Sequence, residues 1–192
     1  MNITAIILAA GQSTRFGADN KLFAAYKGVP LIDHCLNLVA SADFQDRILV
    51  TGFEHERLEK HIAGLPIKPV RNPHYSRGLG TSLAIGVDRI KTDTDGFMVF
   101  LADMPDLTLN IVGQIKTGFK NRNPDQTVVR PTFKGVPGHP VLISSVLKPE
   151  IQNLSGDQGA FDIIRKHKSS TLEIDANTPT VIRDIDRPKD LA

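Results

Sequence analysis

The chain has 192 residues, with 23 Lys and Arg against 21 Asp and Glu, a formal net charge of +2, 41% hydrophobic residues and one cysteine, Cys35. This length suits one domain with a full core, and the composition excludes wholesale disorder. The near-neutral balance, with no Lys/Arg run, argues against a nucleic-acid groove; a lone cysteine makes neither an intrachain disulfide nor a thiolate metal cluster.

Residues 1–10 are apolar but too few for a membrane span, and no Lys or Arg precedes the run. Neither a leader nor a membrane anchor is expected, and the protein reads as cytoplasmic. Residues 3–8 are continuously apolar and run into Ala-Ala-Gly, which predicts a strand buried on both faces. Pro30 opens an amphipathic helix over 31–40 with Cys35 on its apolar side. Short strands are predicted at 47–51 and 67–70, separated by a charged helix over 54–62. A loop over 71–80 leads to a helix over 81–90, and residues 97–101 form a fourth buried strand ending in Ala102-Asp103-Met104-Pro105. A helix over 109–120 and a strand over 127–130 precede residues 131–138, whose two prolines and two glycines predict a loop. Strand 140–143, helix 145–154, a Gly-Asp-Gln-Gly break at 156–159 and helix 160–167 follow. Short strands at 171–174 and 181–183 and a helical turn from Pro188 end the series. Strands alternate with helices almost throughout, with no repeat or linker. This predicts a single α/β domain over 1–192: a doubly wound, mostly parallel sheet with helices on both faces.

Ligands of such sheets bind beyond the carboxyl ends of the strands, so the loops there are the candidate site. The first reads Leu8-Ala9-Ala10-Gly11-Gln12-Ser13-Thr14-Arg15-Phe16-Gly17, followed by Lys21. Small residues at 9, 10 and 11 let the backbone approach a ligand, successive N–H groups can form an anion nest, and Arg15 and Lys21 add positive charge. The spacing is neither a Walker A loop nor a dinucleotide fingerprint. Asp103 follows a buried strand, where a hard divalent cation would find carboxylate and phosphate oxygens. Asp186 lies past the last predicted strand and could meet Asp103 on the same edge; the competing reading is a helix N-cap before Pro188. Asp184 is the fallback ligand. Gly78, Gly80, Thr81 and Ser82 open a helix whose N-terminus favours anions, or cap it after a flexible turn. His139, between Gly138 and Pro140, is either a structural hydrogen-bonder or a substrate contact. Asp157 and Gly159 precede a helix and either cap it or meet a substrate phosphate. No Ser-His-Asp or Cys-His constellation emerges.

Taken in order, these blocks resemble those of a known family. The loop 8–17 with Lys21-Leu22 resembles the segment on which nucleotidyltransferases hold NTP. Asn72-Pro73 with Gly78-Leu79-Gly80-Thr81-Ser82-Leu83, Leu101-Ala102-Asp103-Met104-Pro105 and Gly138-His139-Pro140-Val141-Leu142 resemble blocks of the molybdenum cofactor cytidylyltransferases (MocA type), within the MobA-like NTP transferases. Gly156-Asp157-Gln158-Gly159-Ala160 and Asp184-Ile185-Asp186 with Pro188 complete the set. The resemblance implies a Rossmann-like nucleotidyltransferase fold, with an NTP-binding part over about 1–105 and a substrate-binding part over about 106–192. It implies transfer of CMP from CTP to the molybdopterin-bound molybdenum cofactor, with release of pyrophosphate. Arg15, Lys21 and Asp103 then act in catalysis. Leu8, Ala9, Ala10, Gly11, Arg15, Lys21, Gly52, Asn72, Gly78, Gly80, Thr81 and Ser82 bind the nucleotide. Asp103 and Asp186 hold Mg2+, for which Mn2+ can substitute, and His139, Asp157 and Gly159 meet the second substrate. A hand-off of product to a molybdoenzyme could accompany catalysis; no nucleic acid or membrane partner is implied.

Two departures stand out: Gly80-Thr81 replaces Ser-Ser, and Ala102 replaces Gly. The hydroxyl lost at position 80 bears on nucleotide choice. The rival readings are a guanylyltransferase of the same cofactor, a sugar- or alditol-phosphate nucleotidyltransferase and, in a different class, a non-catalytic molybdopterin-binding chaperone. In the enzyme reading the attacking phosphomonoester, with a second pKa of about 6, is already mostly ionised at neutral pH. No general base is needed, and electrostatic stabilisation and positioning carry the reaction.

Overall fold

All seven residues of the first strand, β1 (Ile3–Ala9), are buried in the computed structural model, which describes residues 1–17, 19–156 and 160–191. Ile3, Ala5 and Ile7 join one apolar layer while Ile6 and Leu8 join the other. A strand covered on both faces needs no polar alternation, which is why the run is apolar throughout apart from Thr4. A small hairpin, β2 (Ala25–Tyr26) and β3 (Val29–Pro30), leads into α1 (Leu31–Ser41). Then come β4 (Asp46–Thr51), α2 (His55–His61), β5 (Lys68–Arg71), α3 (Leu79–Asp88), β6 (Gly96–Leu101), α4 (Leu109–Asn121) and β7 (Val128–Phe133). The remaining elements are β8 (Val136–Pro137), β9 (Val141–Ser144), α5 (Lys148–Gln152), α6 (Ala160–Lys166) and β10 (Thr171–Asp175).

The main sheet has the order β10-β7-β9-β6-β1-β4-β5, with β8 added to β7. β1 is parallel to both β4 and β6, β5 is parallel to β4, and β10 is parallel to β7. β9 runs antiparallel between β6 and β7. Ile32, Cys35, Leu36 and Val39 of α1, Leu58 of α2 and Ile111, Ile115 and Phe119 of α4 cover one face. Leu83 and Val87 of α3, Ile151 of α5 and Ile163 and Ile164 of α6 cover the other. The sheet is therefore mostly parallel and doubly wound, as the alternation predicts. The chain leaves β1 toward β4 and β5, then crosses back to place β6 on the other side of β1. The loops after β1 and β6 diverge at this switch point and leave a crevice between them. Among the described residues no helix is long and apolar enough to cross a membrane.

The structure departs from the sequence reading in four places. Residues 131–138 are not a plain loop: β7 runs on to Phe133 and returns as β8. The turn between them is Lys134-Gly135, both with positive φ (50° and 77°), the backbone that a tight hairpin twist demands. The hairpin β2–β3 turns on the same pair, Lys27-Gly28, with φ of 49° and 86°. The strand predicted at 181–183 is a 3-10 turn, Pro179–Ile182. Thr178 accepts a hydrogen bond from Thr180 N, and Pro179, with no N–H to offer, starts the turn. The helix predicted at 145–154 is split into a 3-10 turn, Ser145–Leu147, and the short α5. The helix predicted to start at Thr81 starts at Leu79.

Candidate active site

A cleft of about 430 Å³ opens at the carboxyl ends of β1 and β6, a volume typical of small-molecule sites. Its walls are residues 8–15, Lys21 and Leu22 on one side, Tyr75, Ser76, Gly78, Leu79 and Ser82 on another, and Leu101, Ala102, Asp103 and Asp186 at the base of β6. The loop after β1 is closed by its own polar groups. Phe16 N donates to Ser13 O at 2.8 Å, and Ser13 Oγ accepts from Lys21 N at 3.2 Å. Asn20, 1% exposed, accepts Leu22 N at 3.1 Å and so caps the 3-10 turn Lys21–Phe23 that presents Lys21. Sequence reasoning missed Asn20; an Asn directly before a helical turn was the available signal.

Charge is concentrated at the base of this cleft. Lys21 Nζ lies 2.6 Å from Asp103 Oδ2 and 2.9 Å from Asp186 Oδ1, and Arg15 Nη1 lies 2.6 Å from Asp186 Oδ2. Burial alone would depress the Lys21 pKa, but the Asp103 and Asp186 carboxylates outweigh it and hold the ammonium above its usual range. The hydrogen bond from Lys21, with Arg15 beyond it, holds the Asp186 carboxyl below its usual range. Asp184 behaves oppositely: loss of solvent and the negative charges of Asp103 and Asp186 push its carboxyl up. Oxygens of Asp103, Asp184 and Asp186 lie within 4.8 Å of one another. Three carboxylates converging at this spacing, one of them destabilised by its neighbours, form a donor set that fits a hard divalent cation. Asp184 thus belongs with the two carboxylates singled out from the sequence. The two carboxylate oxygens of Asp186 go to Lys21 and Arg15, and it is the Asp190 carboxylate that accepts from Asp186 N and Arg187 N (3.2 and 2.8 Å).

Of the residues expected around a nucleotide, Leu8, Ala9, Ala10, Gly11, Arg15, Lys21, Gly78 and Ser82 line the cleft. Gly52, Asn72, Gly80 and Thr81 do not; they build the frame behind its wall. Asn72, fully buried, donates from Nδ2 to Thr81 Oγ1 and Ser82 Oγ, both at 2.9 Å, and accepts His74 N at 2.8 Å. Thr81 Oγ1 also reaches the Gly78 and His74 carbonyls at 2.8 and 3.2 Å, so its hydroxyl is spent inside the protein. Gly78 has φ 111°, a conformation that favours glycine. The Gly80 N–H donates to Gly156 O at 3.2 Å and Thr81 N–H to Gly78 O at 3.3 Å. Two of the first-turn amides of α3 are therefore already paired within the protein. A Cβ at Gly52 would sit 2.6 Å from Tyr75 Cβ and 2.8 Å from Ala10 Cβ, so glycine lets the Tyr75 wall close on the first loop. Tyr75 itself was not anticipated.

His139 also lies outside the cleft lining. Its Nδ1 is buried with no hydrogen-bond partner among the described residues. Burial pushes its pKa down, against the opposing pull of the Val99 backbone and Asp103. Asp157 and Gly159 fall outside the described residues.

A switch-point cleft with a glycine-containing, cationic first loop and facing carboxylates is the site of an enzyme that handles a nucleoside polyphosphate. Residues 5–171 match the MobA-like NTP transferase domain, and the chain belongs to that family. Its activity class is nucleotidyl transfer. It is 31% identical to the molybdenum cofactor cytidylyltransferase of Escherichia coli K12, over 92% of both chains. It is 24% identical to the nicotine blue oxidoreductase of Paenarthrobacter nicotinovorans, over 96% of this chain and 92% of that one. The crystal structure of Rv0371c from Mycobacterium tuberculosis superposes with a TM-score of 0.87 at 23% identity, covering 99% of this chain and 95% of that one. A manganese complex of the same mycobacterial protein superposes at 0.78 with 21% identity, covering 92% and 89%.

Proposed function

We propose that the protein transfers CMP from CTP to the molybdopterin-bound molybdenum cofactor in the cytoplasm, releasing pyrophosphate. The observation that carries these particular substrates is the identity with the E. coli cytidylyltransferase along 92% of both chains; the cleft supplies the chemistry. The backbone of Ala9, Ala10 and Gly11 receives the nucleotide. Arg15 and Lys21, both now on Asp186, turn to the triphosphate and offset its negative charge as the leaving pyrophosphate forms. Asp103, Asp184 and Asp186 would hold a divalent cation, Mg2+ or Mn2+, which supplies charge neutralisation at the α-phosphate. The attacking phosphomonoester is already ionised, so the absence of a histidine from the cleft wall is consistent with the reaction. The part over about 1–105 supplies most of the nucleotide site, Asp184 and Asp186 reach it from the part over about 106–192 that accepts the second substrate, and the product passes to a molybdoenzyme.

The first test is thermal unfolding with CTP, GTP, ATP or UTP, with and without Mg2+. A tenfold preference at saturation is about 1.4 kcal/mol, or roughly 3–6 °C for a chain of this size. CTP with Mg2+ is expected to give the largest shift, and a larger shift with GTP would replace the cytidylyl reading with the guanylyl one. Pyrophosphate release with the pterin acceptor should fall roughly 10²–10³-fold in Lys21→Ala and in Asp103→Ala. Turnover near wild type in either variant would remove that residue from the mechanism.

A further inference from the structure

We propose that the Gly138-His139 turn is a positioning device for the metal-binding carboxylates, acting through the segment 181–186 rather than by touching substrate. The inference rests on the metal reading of Asp103, Asp184 and Asp186 given above. The segment carrying two of these carboxylates belongs to no strand of the main sheet. Besides the ion pairs of Asp186, two backbone hydrogen bonds fix it. At the first, Val181 O accepts the His139 N–H at 2.8 Å, and the Val181 side chain is fully buried in the apolar layer under α1 and α4. At the second, the Ile185 N–H donates to Asp103 O at 3.0 Å, and the Ile185 side chain is fully buried against Tyr26 and Leu31.

These two anchors flank Asp184 and immediately precede Asp186. With Ile185 turned into the protein, the residues on either side of it are turned toward Lys21 and Asp103. The second anchor ties the segment directly to the backbone of the third ligand, so the spacing of the three carboxylates depends on where Val181 is held. Gly138 decides that position. Its N–H donates to Pro131 O at 2.9 Å, which fixes the turn to β7. A Cβ built on it would run into the Val181 carbonyl, 2.8 Å from the carbonyl carbon and 3.0 Å from Val181 Cβ. Those atoms are backbone and β-carbon, not the loose end of a side chain, so the segment must move to admit a methyl group. Mg2+ and Mn2+ take octahedral oxygen sites, and Mg2+ demands near-ideal geometry at about 2.0–2.1 Å, whereas Ca2+ accepts six to eight ligands in flexible arrangements. A displaced segment therefore penalises the small octahedral ions more than Ca2+.

The test compares wild type, Gly138→Ala and a control, Gly113→Ala, where a Cβ meets nothing within 4 Å. Val181→Ala serves as a second variant should Gly138→Ala fail to fold, because it loosens the first anchor by removing two methyl groups. Binding of Mn2+ and of Ca2+ to the nucleotide-free full chain is titrated by calorimetry, and exchange of the Ile185 amide is followed in metal-free protein. Gly138→Ala or Val181→Ala is expected to weaken Mn2+ binding tenfold or more, to weaken Ca2+ binding less, and to speed Ile185 exchange at least tenfold, with Gly113→Ala unchanged. Wild-type Mn2+ affinity and wild-type exchange at Ile185 in these variants would overturn the positioning role. Equal losses of Mn2+ and Ca2+ would overturn the geometric account. A wild-type chain that binds no Mn2+ would overturn the metal reading, while the exchange result would still decide whether the turn holds the segment.

Discussion

Replacing Asn72 by Ala distinguishes a residue that frames the cleft from one that reads the nucleotide. The side chain makes three hydrogen bonds, to Thr81 Oγ1, Ser82 Oγ and His74 N, each between 2.8 and 2.9 Å. Each is worth about 1 kcal/mol net. Ser82 is 2% exposed, and leaving its hydroxyl without that donor adds about 1–2 kcal/mol. Thr81 keeps its contacts with the Gly78 and His74 carbonyls, so no second desolvation term applies. The expected loss is about 4–5 kcal/mol, a fall in Tm of roughly 8–20 °C at about 2–4 °C per kcal/mol. Urea unfolding of the nucleotide-free protein measures it, by circular dichroism because the chain has no tryptophan. A loss below about 1 kcal/mol with an unchanged m-value would refute the frame argument and return Asn72 to the list of direct nucleotide contacts.

Acid stability follows from the same charges. Asp186 is held below its usual range by Lys21 and Arg15, so its contribution is fully present above the unfolded value and is lost as pH falls through the folded one. Lys21→Met should therefore flatten that part of the acid limb in urea midpoints taken between about pH 3 and 7, and an unaltered profile would contradict the assignment. In the core, Gly96→Ala would put a Cβ 2.8 Å from Ile143 O and 2.9 Å from Phe119 Cζ. The expected cost is about 1–3 kcal/mol, and a neutral or stabilised variant in thermal unfolding would show that β6 and β9 can separate there without strain.

The parallel core was legible because burial on both faces writes itself as an almost unbroken apolar run, as in β1 and β6. The two hairpins were hidden for a specific reason. Their turns use Lys-Gly, which lacks the Asn or Asp usually expected ahead of the glycine, and Pro131 and Pro137 look like breakers although both sit in strands. Val181-Ile182 resembles a strand because both residues are β-branched, yet among the described residues no strand pairs with them and Pro179 opens a helical turn instead. At the site, residue type and position single out Lys21, Arg15 and Asp103, and the structure brings them together around Asp186. Asn72, Gly80 and Thr81 lie in the blocks that carry the resemblance, which is what assigns them to the nucleotide; Gly52 lies in none of those blocks. Sequence alone does not say whether a hydroxyl or amide faces a ligand or the neighbouring loop, and here Thr81 and Asn72 face each other.

The contacts from Asp186 to Arg15 and Lys21 join residues 171 and 165 positions apart. Every strand of the main sheet is complete by Asp175, the end of β10. A nascent chain translated only that far has the sequence for its entire sheet and both layers of helices, yet carries one of the three carboxylates. During synthesis residues 179–186 can dock only after the sequence of the whole sheet has been made. Until then Arg15 and Lys21 stand without Asp186, and the cleft carries a different charge from the one the finished protein presents.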